Sequence, residues 1–382
     1  MNVFRNSVKG GFVRARKYLA GVIATVMAVA ILGACGQQTT SDSSSEQRSV
    51  SDSQAITIVD QRDKEVKLDK PAEKVAITVM PAPAIVAAVD GSWERIVGMN
   101  QSSIKAANEG ITGKIFTTAA DTVPIAGDDF VPNMEAILGL DPDVVIQWGN
   151  KTDDIVAPIE SAGIPVVGLK YGTQEDLEAW ITMFGQVLGK EDRSKDIIDT
   201  MHSEAAALKE QTVALSSSPR VLQLSYNDSK LGVSTGKDYA QYVFDLINAT
   251  NVAKDAVVDD AGVSPEQIIA WDPEVVFLSA FDTSTPEDLY KDARFADVSA
   301  VKNKRVYRSP LGVYRWQVPC AESPLYWNWA AALVHPELEI DLPGKMREQI
   351  KYMYNYELTQ EDIELTLRTD INNGSANYDH VQ

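Results

Sequence analysis

The stretches "EAILGLDPDVVI", Glu135 to Ile146, and "EQIIAWDPEVVF", Glu266 to Phe277, are two versions of one pattern, identical at six of twelve positions. In each, a short apolar run of helical character is broken by Asp-Pro, because the residue before a proline avoids the helical region, and a β-branched run follows as a buried strand. Asn133 precedes the first and Ser264-Pro265 the second, residue types that open helices. A chain that writes helix, break and strand twice in this way is built from two related halves.

Outward from these segments, short apolar runs alternate with helical patterns from Gln54 onward, as parallel α/β layers require. In the first half "VAITV", "RIVGM", "DVVIQW" and "PVVGLK" read as strands, with "PAIVAAV" and "MEAILGL" as helices. In the second, "RVLQLSY", "EVVFLS" and "KRVYRS" read as strands, with "YAQYVFDLI" and "PEQIIAW" as helices. Between the halves, Glu191 to Leu215 holds no Gly or Pro and places Ile197, Met201, Ala205, Leu208 and Leu215 on one face. Such a helix would run roughly 37 Å, enough to cross both lobes as a strut. Upstream, Thr173 and Asp176 form a capping-box-like start for the helix carrying "LEAWITMFGQVLG".

The first residues are a targeting segment. Arg5, Lys9, Arg14, Arg16 and Lys17 form a basic region without acids, followed by an apolar run from Tyr18 to Leu32 that is short for a membrane span. It ends in Leu32-Gly33-Ala34-Cys35, which resembles a bacterial lipobox, with Cys35 as the residue that takes the lipid. The polar stretch "GQQTTSDSSSEQ" that follows reads as a flexible tether. With Cys35 lipidated, only Cys320 remains of the two cysteines, so no intramolecular disulfide is expected. Removing residues 1–34 takes away five of 35 basic residues and none of the 54 acidic ones, leaving a formal charge of about −24. Such a balance argues against nucleic acid as a partner. The expected organisation is a leader over 1–34, a tether over 35–54, a first lobe over 55–172, connecting helices over 173–215, a second lobe over 216–341, and C-terminal helices with a polar tail over 342–382.

A lipidated leader, two similar α/β lobes and one spanning helix resemble the solute-binding lipoproteins of ABC importers for iron chelates, haem and cobalamin. The resemblance covers about residues 55 to 340. It rests on "NMEAILGLDPDVVIQW", "LGVSTGKDYAQYVFDLINATNVAKD" and "VSPEQIIAWDPEVVF". It implies two Rossmann-like lobes joined by a single long helix, with the ligand cleft between them. It also implies a monomer held on the outer face of the cell membrane by its lipid, an importer permease dimer as partner, and no catalysis.

Ligands of open α/β sheets bind beyond the carboxyl ends of the strands. The loops there supply Met80, Pro81, Asn100, Trp148, Asn150 and Tyr171 in the first lobe, and Tyr226, Phe281, Tyr314, Arg315 and Trp316 in the second. Aromatic faces suit a large conjugated ligand and an arginine fork suits chelator oxygens, so the expected ligand is a ferric chelate, with haem or cobalamin as alternatives. Met80, Tyr226 or Tyr314 have the chemistry of haem axial ligands. In the resembled family one glutamate per lobe meets permease arginines, and Glu135 and Glu266 stand at those positions; as structural residues, each complements a helix dipole.

Two competing classes are set aside. A bare zinc or manganese site wants several histidines, and His202, His335 and His380 fall on the strut, at a helix end and in the tail. A surface hydrolase would need a nucleophile with its base; no such arrangement stands out, and "GVSTG" at Gly232 to Gly236 lacks the P-loop pattern and reads as a turn. The helices after Leu342 are expected to pack on the second lobe, and the polar residues from Arg368 onward to be disordered.

Overall fold

The computed structural model describes residues 55–382, apart from 228–229 and 259–261. The leader, Cys35 and the tether therefore lie outside the described residues. Twelve strands are named in chain order. An antiparallel hairpin of β1 (Ile56–Val59) and β2 (Glu65–Leu68) comes first. The first lobe holds β3 (Val75–Ile77), β4 (Ile96–Asn100), β5 (Val123–Ala126), β6 (Val144–Trp148) and β7 (Val166–Leu169). They form a wholly parallel sheet in the order β5-β4-β3-β6-β7. The second lobe holds β8 (Arg220–Asn227), β9 (Lys230–Val233), β10 (Thr250–Asn251), β11 (Val275–Leu278) and β12 (Val306–Arg308). Its parallel path is β10-β8-β11-β12, and β9 folds back antiparallel on β8.

The paths β4-β3-β6-β7 and β10-β8-β11-β12 are the same arrangement, and the twin segments end in the corresponding strands β6 and β11. Each twin opens a seven-residue helix, Met134–Leu140 or Pro265–Trp271. The Asn133 side chain accepts the Ala136 N–H, and the Ser264 hydroxyl accepts the Gln267 N–H. Each helix ends on an aspartate in the left-handed region, Asp141 at φ 50° and Asp272 at φ 43°, a conformation that a short polar side chain tolerates better than most. The shared isoleucines, Ile137 and Ile268, are both buried, and so are the paired valines of β6 and β11.

The spanning helix runs Glu191–Val213, 23 residues, about 35 Å by the α-helical rise. It buries Ile197, Met201 and Leu208. It packs on the first-lobe helices Ala82–Asp90 and Gln174–Leu188 and on the second-lobe helices Tyr239–Leu246 and Ser323–Val334. Leu215 lies past its end, in a turn closed by its N–H on the Thr212 carbonyl. The helices Gln174–Leu188 and Glu191–Val213 approach closely because Gly185 carries no side chain: a Cβ there would sit 2.3 Å from the Ser194 hydroxyl. The Thr173–Asp176 box is formed in both directions. Behind the spanning helix, every residue of Ser323–Val334 is buried, a helix apolar on all sides with protein all around it.

Two expectations for the C-terminal region are corrected. The helices Leu342–Tyr354 and Gln360–Leu367 do not pack on the second lobe alone. The first of them lies against the first-lobe helix Ala82–Asp90, and Tyr354 meets Phe116 edge to face at 5.8 Å. Lys114 of the first lobe pairs with the buried Asp362 carboxylate at 2.8 Å. Nor is the tail disordered. Helical turns at Thr369–Asn372 and Tyr378–Val381 follow, with Tyr378 and Val381 buried. The physical reason is that β12 is an edge strand whose polar backbone needs partners. Arg308 donates its N–H to the Asn372 side-chain oxygen at 2.7 Å, and Asn372 returns its amide to the Arg308 carbonyl at 3.0 Å. Ala376 donates to the Lys304 carbonyl and accepts the Tyr307 hydroxyl. Polar residues order here because their polarity is spent on a sheet edge.

Candidate functional site: the cleft between the lobes

A cavity of about 300 Å³ opens where the carboxyl ends of the second-lobe strands face Tyr171, two residues beyond β7. Its second-lobe wall mixes polar groups, Gln223 and Ser225 from β8, Ser234 from the turn after β9, Asp238, Ser279 after β11, and Arg315 and Gln317 from the loop after β12, with the apolar Leu224, Val233, Ala240 and Val318. Tyr171 keeps 43% of its surface open, yet protein atoms crowd its ring. This crowding raises its phenol pKa to about 12, against the opposing pull of Arg315. Its ring stands on an aromatic cluster, edge to face with Trp148 at 5.8 Å, and Trp148 in turn meets Phe130 and the fully buried Trp180.

Two residues of the cleft wall carry a buried polar atom without a hydrogen-bond partner, Arg315 Nε and Gln317 Oε1, and Trp148 Nε1 and Tyr314 Oη, behind the wall, are likewise unpaired. Buried polar groups in folded proteins are almost always satisfied, so the Arg315 and Gln317 atoms on the cleft wall are available to a bound molecule. The Arg315 guanidinium lies 4.8 Å over the Phe281 ring, which holds its plane without consuming its donors. Phe281 is itself edge to face with Tyr314 at 5.8 Å.

The loop carrying Tyr314 and Arg315 is shaped from within. Glu322, 1% exposed, accepts the Val313 N–H at 3.1 Å and the Trp316 indole N–H. Burial pushes its carboxyl up to about 7, against these hydrogen bonds. Gly312 lies so close that a Cβ there would sit 2.1 Å from the Glu322 carboxylate. Cys320 is buried beside it, and burial pushes its thiol up as well.

The structure brings some of the sequence-read residues to the cleft and removes others. Tyr171 and Arg315 line it, and Tyr314 and Trp148 stand directly behind them. Trp316 is corrected: it is fully buried and bound to Glu322, so it braces the loop from inside. Tyr226 is corrected too. Its hydroxyl donates to Asp292 and its ring packs on Phe295, away from the cleft. Asn100 is buried as a helix cap, with its amide spent on the Thr78 and Gly127 carbonyls. Met80 is half-buried on the core, Pro81 is buried at a helix start, and Asn150 is exposed beyond β6. Missed by the sequence reading were Ser234, Ser279 and Gln317. The first sits in "GVSTG", and that turn is what carries it into the cleft.

Glu135 and Glu266 are both exposed, each in the first turn of its twin helix. Its own backbone N–H and the Ser264 side chain hold the Glu266 carboxyl below the usual range. The three histidines lie apart: His202 beside Glu178, His335 buried on the Ile247 carbonyl, and His380 exposed in the last turn. Among the described residues, no group of three or more His, Cys, Asp or Glu is placed to hold a metal ion. A separate cavity of about 200 Å³ lies between the spanning helix and Leu342–Tyr354, away from the strand ends, with the Lys345–Glu204 ion pair in its wall.

Residues 84–310 match the periplasmic binding protein family. The chain belongs to this family. A periplasmic solute binding protein from Veillonella parvula is 31% identical, with a TM-score of 0.75 over 84% of this chain and 98% of that one. The molybdate-binding protein MolA of Haemophilus influenzae is 22% identical over 78% of this chain and 88% of its own. Its molybdate-bound structure superposes with a TM-score of 0.70 and shares the fold. The iron(3+)-hydroxamate-binding protein FhuD of Bacillus subtilis is 21% identical over 78% of this chain and 92% of its own. In this periplasmic binding protein the twin segments are thus matching parts of the two lobes, and the cleft carries the unpartnered Arg315 Nε and Gln317 Oε1. Among the described residues no helix is long and apolar enough to cross a membrane.

Proposed function

We propose that the protein is an extracytoplasmic solute-binding lipoprotein that captures a ferric chelate of the siderophore type and hands it to an ABC importer permease. The observation that carries this is the interlobe cleft of about 300 Å³, lined by Tyr171 of one lobe and Arg315 of the other, where buried Arg315 Nε and Gln317 Oε1 have no partner. A wall of hydroxyls and amides with one guanidinium, and with the Asp238 carboxylate turned to the Thr235 N–H and hydroxyl, fits a polar chelate with anionic oxygens. Haem, with its apolar macrocycle, fits this largely polar wall less well. No resident cofactor is needed in this reading, and the iron is cargo. The protein acts by binding and delivery, with no catalytic step of its own.

Cys35 is the lipid attachment point, holding the chain as a monomer on the outer face of the cell membrane. Glu135 and Glu266, one per lobe, are the contacts to the permease. A second reading, a small oxyanion as solute, is favoured by the serine-rich second-lobe wall and by the breadth of the match to a molybdate-binding relative. Calorimetric titration with ferric citrate, a ferric hydroxamate and molybdate, alongside mass spectrometry of solute co-purified from native membranes, separates the two. Binding of a ferric chelate that Arg315→Gln weakens supports the first reading. Binding of molybdate alone establishes the second, and binding of none of these with no co-purified solute sinks both.

A further inference from the structure

Arg308, the last residue of β12, and Arg368, from the segment after the helix Gln360–Leu367, converge on one carbonyl oxygen. Arg308 Nη2 donates to the Ala280 oxygen at 3.1 Å, and Arg368 Nη2 reaches the same atom at 3.5 Å. Arg308 also donates to the Asp282 carbonyl. Each guanidinium has five N–H donors, so most of their capacity is unspent. The Nε atoms of both are buried and without a partner. Burial and repulsion from Arg368 lower the pKa of Arg308, and burial lowers that of Arg368, while Glu109 and Asp370 oppose this at both and Asp282 at Arg308. Among the described residues no carboxylate forms an ion pair with either.

This is an odd arrangement for a chain with 54 acidic residues against 35 basic ones. Two half-buried like charges side by side are costly, and a neighbouring acid would relieve them at little expense. The place is also telling. Ala280 follows the cleft-lining Ser279 and precedes Phe281, over whose ring Arg315 lies. Glu109 belongs to the first lobe, its neighbour Gly110 lies against the Gly312 carbonyl and Thr112 donates to the Val313 carbonyl at 2.7 Å, so first-lobe residues meet the loop after β12 near the pair. Arg368 and Arg308 come together because the tail beyond Leu367 is tied to the β12 edge through Asn372.

We propose that Arg308 and Arg368 form a seat for an anionic oxygen group, a carboxylate of the captured solute, at the lip of the cleft. The planar forks of two arginines suit a carboxylate better than a point charge would. The proposal rests on the solute-binding reading given above. It adds that the solute is an anion and that the C-terminal segment, outside the region matched by the family, contributes directly to holding it.

The test uses the purified protein with citrate alone and ferric citrate as probes. Arg308→Gln and Arg368→Gln are each expected to weaken binding tenfold or more, equivalent to about 1.4 kcal/mol. Weakening for both probes means that a free anion takes the seat, and weakening for ferric citrate alone means that the anion is an arm of the chelate; either supports the proposal. Arg308 also holds two carbonyls, so its variant can lose stability for that reason; Arg368→Gln keeps the question open to decision. If Arg368 merely ties the loop, Arg368→Gln melts lower than the wild type in anion-free, low-salt buffer. If it is half of an empty anion seat, the variant melts no lower, because one of two like charges is gone. Unchanged affinity in both Gln variants overturns the seat, as does a wild-type protein that binds neither probe. Arg315→Gln reports on the cleft separately. Loss of binding there, with Arg308→Gln and Arg368→Gln unaffected, rejects the seat and leaves the solute-binding reading in place.

Discussion

Asp143 and Glu274 occupy equivalent places in the two lobes and do the same work. The Asp143 carboxylate accepts the N–H groups of Glu73 and Lys74 at 2.8 and 2.9 Å, just ahead of β3. The Glu274 carboxylate accepts the N–H of Arg220, the first residue of β8, at 2.8 Å. Their own N–H groups return to the carbonyls of Lys74 and Arg220. Each Asp-Pro break is thus followed by an acid that seals the start of the neighbouring strand. Asp143→Ala and Glu274→Ala should each lower stability by about 1 kcal/mol, since the freed N–H groups can turn to water. Chemical denaturation would show this as a shifted midpoint with solute affinity unchanged.

Charge reversal at the twin helix starts separates docking from helix capping. Glu135→Lys and Glu266→Lys should leave solute binding untouched and cost at most about 1 kcal/mol of stability through the helix dipole. Transport in reconstituted vesicles should fall with either and fall further with both. Full transport by the double variant would leave these glutamates as helix-start residues.

Neighbouring residues of one loop should fail in different ways. Arg315→Ala should weaken solute binding tenfold or more, about 1.4 kcal/mol, with the melting temperature near wild type. Trp316→Ala should cost about 3 to 5 kcal/mol of stability because it empties a fully buried site and strips Glu322 of a donor. Paired calorimetric and thermal measurements on the two variants check this; a Trp316→Ala protein of normal stability would contradict the brace.

Glu322 gives stability a pH dependence of a definite sign. Its carboxyl is raised from 4.5 to about 7 by burial, so between those values the folded state holds a proton that the unfolded state has lost. Its contribution therefore falls as pH rises from about 4.5 to about 7 and is constant above, with a slope of up to about 1.4 kcal/mol per pH unit. Glu322→Gln should flatten the melting temperature over that range relative to wild type. An identical pH profile in the variant would show that the carboxyl is not titrating there.

Lobe closure should be small. The spanning helix packs on helices of both lobes, and Lys114 of the first lobe holds Asp362 of the C-terminal segment. Burial raises the Asp362 carboxyl, but Lys114 and the Thr359 N–H and hydroxyl outweigh it and hold it below its usual range. X-ray scattering should show little compaction on solute saturation, and more in Asp362→Asn. A large compaction in the wild type would mean that these ties do not limit the hinge.

The framework was legible because periodicity and punctuation are local. The twin segments, the strut and the Thr173–Asp176 box all follow from spacing, and the strut was read two residues too far, to Leu215. The site was legible in part. Position after a strand located Tyr171 and Arg315, but position cannot say which way a side chain turns, and so Trp316 and Tyr226 were read outward when Glu322 and Asp292 hold them elsewhere. Ser234, Ser279 and Gln317 carry no signal of their own; they matter because distant loops meet. The tail from Arg368 was misread for a similar reason, since its polar residues answer the polar edge of β12, and that edge is visible only in three dimensions.

That last relationship has a bearing on time. Val306 to Arg308 stay an open sheet edge until Asn372, Ser375 and Ala376 arrive to satisfy them, and these are synthesised after everything they cover. The second lobe is therefore completed only by the last residues of the described chain, and until they are made its β12 edge stays open to pairing with another strand.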